Sequence, residues 1–186
     1  MEPSDLKLIQ KCLSGNQDAF AEILSRYKRL IYNVIYNLIS DSPEANDLFQ
    51  EVFIRIYKSL HSYNPDYKFS TWAAKIATNL CLDRLRQKKL QSVPMEEIPE
   101  ISDNQANPEE LYLAKEQKQR IRMAVDRLPE KYRIPVILFH QQGLSYEEMA
   151  IILNQPVSII KNRLYRARLM LRDTLGSNRE REAISR

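Results

Sequence analysis

Glycine is the first thing this chain lacks, with only three in 186 residues. So few glycines leave little material for positive-φ hairpin turns or for glycine-rich loops that cradle phosphate. Histidine and cysteine are almost as scarce, at two each. His61 and His140 have no neighbouring ligand set, so no metal site is expected. Cys12 and Cys81 lie far apart and do not read as a disulfide framework. No stretch resembles a signal peptide and no apolar run is long enough to cross a bilayer, so the expectation is a cytoplasmic chain with reduced thiols. No Ser-His-Asp or Cys-His pairing can be assembled, which argues against an enzyme and against any cofactor or small-molecule substrate. What is present is 44% hydrophobic residues, arranged in runs of helical period. The fold class expected is all-α.

Charge is unevenly distributed. Residues 1–92 carry 13 basic and 10 acidic side chains, and residues 111–186 carry 15 and 8. Residues 93–110 carry six acids and no base. They also contain Pro94, Pro99 and Pro108 without periodicity, so they read as an acidic linker between two basic modules. Two basic modules imply two contacts with polyanions, most simply nucleic acid.

The stretch from Leu144 to Arg172 is the most telling. Ser145 with Glu148 three residues on makes a capping box, followed by Met149, Ala150, Ile152 and Leu153 on one side of a short helix. Asn154-Gln155-Pro156 breaks it, and Pro156 suits the start of the next helix. There Val157, Ile160, Leu164, Ala167 and Leu171 form a buried stripe, at about 100° per residue. Ser158, Ile159, Asn162, Tyr165 and Arg166 fall opposite, flanked by Lys161 and Arg163. No acid occurs between Glu148 and Asp173. A capped helix, a tight turn and a basic amphipathic helix are the pattern of a DNA-reading helix-turn-helix.

The first module reads as four helices: Asp5 to Leu13, ended by Gly15; a long one carrying Phe20 through Leu38; one opened by Ser42 as cap with Pro43; and one capped by Ser70 and running to about Lys89. His61 to Lys68 is a loop. In the second module helices are expected from about Glu109 to Leu128 and from Tyr132 to Gln141, with Pro135 in a first turn. From Gly176 a loose polar tail is expected.

Two clusters in the first module go beyond what a generic DNA-binding protein requires. Asp47, Gln50 and Glu51 share one helix face, with Glu44 one turn earlier. In a chain that presents base to nucleic acid, such a face suits a basic protein partner better than it suits DNA. Aromatics mix with basic and amide side chains from Tyr63 to Trp72 and on to Lys75, Asn79, Arg84 and Arg86. A base that leaves the stack can lie on a ring while cations hold its backbone, so single-stranded DNA is the expected ligand.

QEVFIRIY after Asp47, YKFSTWAAKIATNLCLDRLR, and LPEKYRIPVILFHQQGLSYEEMAIILNQPVSIIKNRLYRARLMLR together resemble the sigma-70 superfamily of bacterial transcription initiation factors. The resemblance is to its small extracytoplasmic-function (group 4) type and covers residues 5–175. It implies two helical domains, residues 1–92 and 111–175, around the linker 93–110, with a flexible tail at 176–186. It implies that Asp47, Gln50 and Glu51 dock on the β′ clamp coiled coil of core RNA polymerase, with a further contact to the β flap. By the same resemblance Tyr67, Lys68, Phe69, Ser70, Thr71 and Trp72, with Lys75, Asn79 and Arg84, open and read the −10 element, the loop His61 to Lys68 capturing a flipped base. Lys161, Asn162, Tyr165 and Arg166, with Ser158 and Arg163 beside them, correspond to positions that contact the −35 element. An anti-sigma factor, often membrane-anchored, is the further partner implied. Asn162 stands where the family commonly has Ser or Thr, and Asn can bond adenine bidentately where Ser cannot. The alternative is an autonomous helix-turn-helix regulator that binds an operator as a dimer and needs no polymerase.

Overall fold

The computed structural model describes residues 4–39, 41–91 and 110–184, and these form helices with no strand among them. The predicted linker falls outside the described residues, except for Glu110, which opens a helix.

In the first domain α1 (Asp5–Leu13), α2 (Gln17–Leu38), α3 (Ser42–Ser59) and α4 (Phe69–Gln91) pack around α2. The apolar stripes go inward as their spacing predicts: Ile23, Ile31, Val34, Ile35 and Leu38 of α2 meet Ala45, Leu48, Val52 and Ile56 of α3. Each fully buried Ile, Leu or Val side chain of this set contributes roughly 1.5–3 kcal/mol of transfer free energy. Asn16 caps α2 by accepting from the Ala19 N–H at 2.9 Å. Gly15 has φ +90, which is why a glycine stands between α1 and α2.

Two caps sit elsewhere than expected. Asp41, not Ser42, caps α3, accepting from the Glu44 N–H at 3.1 Å, because Pro43 belongs in the first turn with Ser42 ahead of it. Ser70 lies inside α4, which already begins at Phe69, so it is not the cap. A short 3-10 turn, Leu60–Ser62, begins the stretch expected to be loop.

In the second domain α5 (Glu110–Asp126), α6 (Glu130–Val136), α7 (Tyr146–Leu153) and α8 (Val157–Ile184) surround Ile134, Ile137, Leu138, Met149, Ile152, Ile160 and Leu164. Helix α6 starts two residues earlier than expected, so Pro135 lies beyond its first turn. Proline supplies no N–H to the carbonyl four residues back, and Ile137–Gln141 then wind as a π-helical turn, the local widening that accommodates such a break. Gly143, at φ +65, ends that turn. Helix α8 continues as backbone helix through Ile184 where a loose tail was expected after Gly176. One glycine in a helix costs only about 1 kcal/mol relative to alanine, and the Arg-Glu-Arg-Glu-Ala sequence that follows favours helix.

The two domains touch. Helix α7 lies against α4, and the π-turn lies against α2, so buried residues of both form one apolar cluster.

Candidate nucleic-acid interface

Within α3, the docking face is partly free and partly occupied. Asp47 and Gln50 are exposed. Glu51 is half-buried and pairs with Arg55 one turn on, Oε1 to Nη2 at 2.6 Å. Glu44 departs from the expected face: its carboxylate turns toward α4, 3.8 Å from Arg84 Nε and beside Lys88 Nζ. Arg84 therefore points to α3 and lines a shallow groove with Glu51, Arg55 and Asp83. It lies on the far side of α4 from Lys75 and Asn79, because nine residues at about 100° each is half a turn out of phase. Arg86 lines the same groove, 3.5 Å from Asp83 Oδ1. The sequence reading passed over Ile54 and Tyr57, which are 53% and 51% exposed beside Gln50. Their signal was available: neither fits the buried stripe of α3, so an apolar residue there is left facing solvent.

The loop before α4 is built on aromatic rings. Tyr63, Phe69 and Trp72 stand with centroids 5.4 Å apart in each pairing, and Tyr27 of α2 packs on Phe69 at 4.9 Å. Tyr63 Oη donates to the Tyr67 carbonyl at 2.6 Å, and Asn64 Oδ1 accepts from the Asp66 N–H at 2.9 Å. Tyr67 and Lys68 are exposed, and Ser70, Trp72 and Lys75 are half-buried. Phe69 and Thr71 are each only 2% exposed, so as placed here neither side chain reaches a ligand. Phe69 faces inward because it begins α4 over Tyr27. It serves as the floor of the cluster, leaving Tyr67, Lys68, Trp72, Lys75 and Asn79 as the surface.

Helix α7 covers one edge of this surface. Glu148 Oε1 accepts from Lys68 Nζ at 3.0 Å and from Thr71 Oγ1 at 3.3 Å. The same carboxylate closes the capping box, its Oε2 accepting from the Ser145 N–H at 2.9 Å while Ser145 Oγ accepts from the Glu148 N–H at 3.1 Å. The Ser145 N–H, with Lys68 adding to it, holds the Glu148 carboxyl below its usual value of 4.5. A depressed folded value means this stabilisation is complete above pH 4.5 and is lost as pH falls through the lower folded value. Glu148→Gln is therefore expected to unfold at lower temperature than the parent at pH 7, with the gap narrowing as pH falls below 4.5. Thermal melts of both proteins across that range check it, and a gap independent of pH would take the carboxylate charge out of the account.

Helix α8 presents its basic side as expected. Ser158, Lys161, Asn162, Tyr165 and Arg166 are exposed and Arg163 is half-buried, while Ile160, Leu164 and Ala167 are buried. Asn154, at φ 49, makes the left-handed turn that sets α8 across α7. Two side chains are backed by tyrosines. Lys161 Nζ sits 5.5 Å over the ring of Tyr146, which stacks on Phe139 at 5.2 Å. The Arg166 guanidinium lies near the Tyr132 hydroxyl and, with Lys131 also close, keeps it below the usual tyrosine range.

Among the described residues no group of His, Cys, Asp and Glu could hold a metal ion, and no helix is long and apolar enough to cross a membrane. Cys12 and Cys81 are both buried, and burial, with Glu44 adding its charge, pushes the Cys81 thiol up to about 12.

Comparison with known proteins follows the same division of the chain. Residues 23–91 match the family model for Sigma-70 region 2 and residues 118–171 the model for Sigma-70, region 4. The chain is 37% identical over 184 residues to the ECF RNA polymerase sigma factor SigW of Bacillus subtilis (strain 168), covering 94% of this chain and 98% of that protein. It is 32% identical over 174 residues to the ECF RNA polymerase sigma-E factor of Escherichia coli (strain K12), covering 89% and 91%. Among solved structures, CnrH in complex with the cytosolic domain of CnrY aligns with a TM-score of 0.70 at 22% identity, over 93% of this chain and 97% of the matched one. The sigma factor RpoE in complex with the anti-sigma factor NepR from Bartonella quintana aligns with a TM-score of 0.69 at 23% identity, over 84% and 96%. Those two share the fold. With region 2 carrying the α3 face and the aromatic loop, and region 4 carrying the basic helix-turn-helix, this chain belongs to the sigma-70 family of RNA polymerase sigma factors, in its extracytoplasmic-function (ECF) type.

Proposed function

We propose that this protein joins core RNA polymerase and directs it to promoters by reading a −10 and a −35 element, and that it catalyses nothing itself. The observation that carries the reading is the presence in one chain of three distinct surfaces. One is the Asp47, Gln50, Ile54 and Tyr57 face of α3, apolar at its centre with an acidic and amide edge, as a protein-docking surface is. Another is the aromatic and cationic surface of Tyr67, Lys68, Trp72, Lys75 and Asn79, suited to an unstacked base. The last is the α8 face of Lys161, Asn162, Tyr165 and Arg166, suited to a major groove. An autonomous operator-binding protein has no use for the first two.

Lys68 and Thr71 bond to Glu148 across the domains, so α7 occupies part of the −10 surface in this arrangement. Reading two elements about 17 base pairs apart requires reach of roughly 58 Å at 3.4 Å per step. Helix α7 then has to leave α4, with the 18 residues of the acidic linker spanning at most about 60 Å. The arrangement described here is thus the promoter-free one. An anti-sigma factor is the expected regulator, since CnrH and RpoE of Bartonella quintana were each solved with CnrY and NepR respectively. The cytoplasm is the expected site of action, with the chain held at the membrane where that regulator is anchored.

The test is transcription in vitro from a pooled genomic library, with purified core polymerase with and without this protein. Discrete new start sites sharing two upstream elements are the expected result. No new starts, together with tight duplex binding by the protein alone, would replace this reading by an operator-binding regulator.

A further inference from the structure

Helix α1 lies ahead of residue 23, where the region 2 family match begins. It belongs to none of the three surfaces, yet its first residue is tied to the aromatic loop. Asp5 Oδ2 accepts from Tyr27 Oη at 2.5 Å, and Asp5 Oδ1 accepts from Arg26 Nη1 at 3.3 Å. Glu22 holds the other side of that guanidinium, Oε1 to Nε at 3.0 Å. A carboxylate in the first turn of a helix is also favoured by the helix dipole, so Asp5 is a well-fixed anchor. The Tyr27 ring then packs on Phe69, and Phe69 on Tyr63 and Trp72. Tyr63 in turn holds the Tyr67 carbonyl. The chain of contact runs from α1 to the exposed Tyr67 and the half-buried Trp72, and α1 itself packs against the 3-10 turn at the loop's base.

Burial raises the Tyr27 hydroxyl well above the ordinary tyrosine range, with the Asp5 hydrogen bond and charge adding to it, so Tyr27 stays a proton donor to that carboxylate. Without Asp5 the hydroxyl loses its acceptor and the half-buried ring loses the polar contact that ties it to α1. Phe69 is 2% exposed and closely packed, so a displaced Tyr27 ring is transmitted to it rather than absorbed in a void.

We propose that Asp5 is a positioning residue for base capture: through Tyr27 and the buried Phe69 it sets the orientation of Tyr63, Tyr67 and Trp72, and so the discrimination of the −10 surface. This rests on the reading of that surface given above.

The experiment uses the full chain with core polymerase and a promoter set carrying each of the four bases at the unstacked −10 position. Open-complex formation is followed by permanganate reactivity, with thermal unfolding of each protein alongside. Asp5→Ala and Tyr27→Phe are each expected to reduce the ratio between favoured and disfavoured bases by about tenfold, the scale of a lost hydrogen bond to a charged group. The pair together should do no more than either alone, since both break the same link. Preference at the −35 element should stay unchanged. Asp5→Glu, which keeps the charge, should recover part of the ratio. Tyr27→Phe keeps the ring and the packing, so it decides the matter if Asp5→Ala folds poorly. Unchanged discrimination with only a lowered melting temperature, or additive effects of the two substitutions, would reduce Asp5 to a structural tie. A parent protein that shows no −10 base preference at all would remove the reading of the surface, and this proposal with it.

Discussion

Asp47→Lys is expected to weaken binding of this protein to core RNA polymerase by at least about 30-fold, because truncating or reversing one member of an interface charge pair costs roughly 2–5 kcal/mol. The structure says why Asp47 rather than its neighbours. Glu44 already faces Arg84 and Lys88 of α4, and Glu51 already holds Arg55. Asp47 is exposed on the same side of α3 as the apolar Ile54 and Tyr57. Among the described residues no ion pair engages Asp47, so a partner's cation meets it without competition, and meets Glu51 only in competition with Arg55. Glu51→Lys should show a smaller loss of affinity along with a small loss of helix stability. Surface substitutions away from packing usually shift stability by no more than about 0.5 kcal/mol, so Asp47→Lys should melt like the parent. Fluorescence anisotropy of the labelled chain against core polymerase at two salt concentrations measures both effects. Equal affinities for Asp47→Lys and parent would remove this face from the docking surface.

Arg166→Ala is expected to cost about 1–3 kcal/mol of promoter affinity and to relax preference at the −35 element. Arg166 is exposed on the face of α8 opposite Ile160, Leu164 and Ala167. A planar guanidinium fork can bond two acceptors on one base, which an ammonium cannot do. Arg166→Lys should then keep much of the low-salt affinity while losing base preference, and Arg166→Ala should also lower the salt slope by about one counterion. Arg168, exposed but beside the buried stripe, is the control for charge alone. Its loss should weaken all sequences alike. Affinity measured on a library of −35 variants separates these outcomes, and an Arg166→Ala profile parallel to the parent's would take base reading away from this residue.

Sequence alone determined the all-α class, the buried stripes of α2, α3 and α8, the capping box of Ser145 and Glu148, and the basic face of α8. All of these rest on contacts three or four residues apart, so spacing carries them directly. The same local logic misplaced two caps, because Asp41 and Ser42, or Lys68 through Ser70, compete within one turn and the docking of the helix decides between them. It also overrated Gly176 as a stop, since one unfavourable residue does not outweigh a helix that continues on both sides.

Only the tertiary structure decided which polar and aromatic side chains remain available to a ligand. Glu44 and Asp47 stand three residues apart and look equivalent on paper, yet only Glu44 lies where α4 brings Arg84 and Lys88. Phe69 and Tyr67 belong to one aromatic run, yet Tyr27 of α2 buries the first and leaves the second outside. Arg84 reads as part of the −10 stripe until the register of α4 turns it toward α3. Asp5 with Tyr27, and Glu148 with Lys68, are separated by 22 and 80 residues. No local spacing encodes such pairs; they exist because apolar faces on both sides bury each other first and bring the polar groups along.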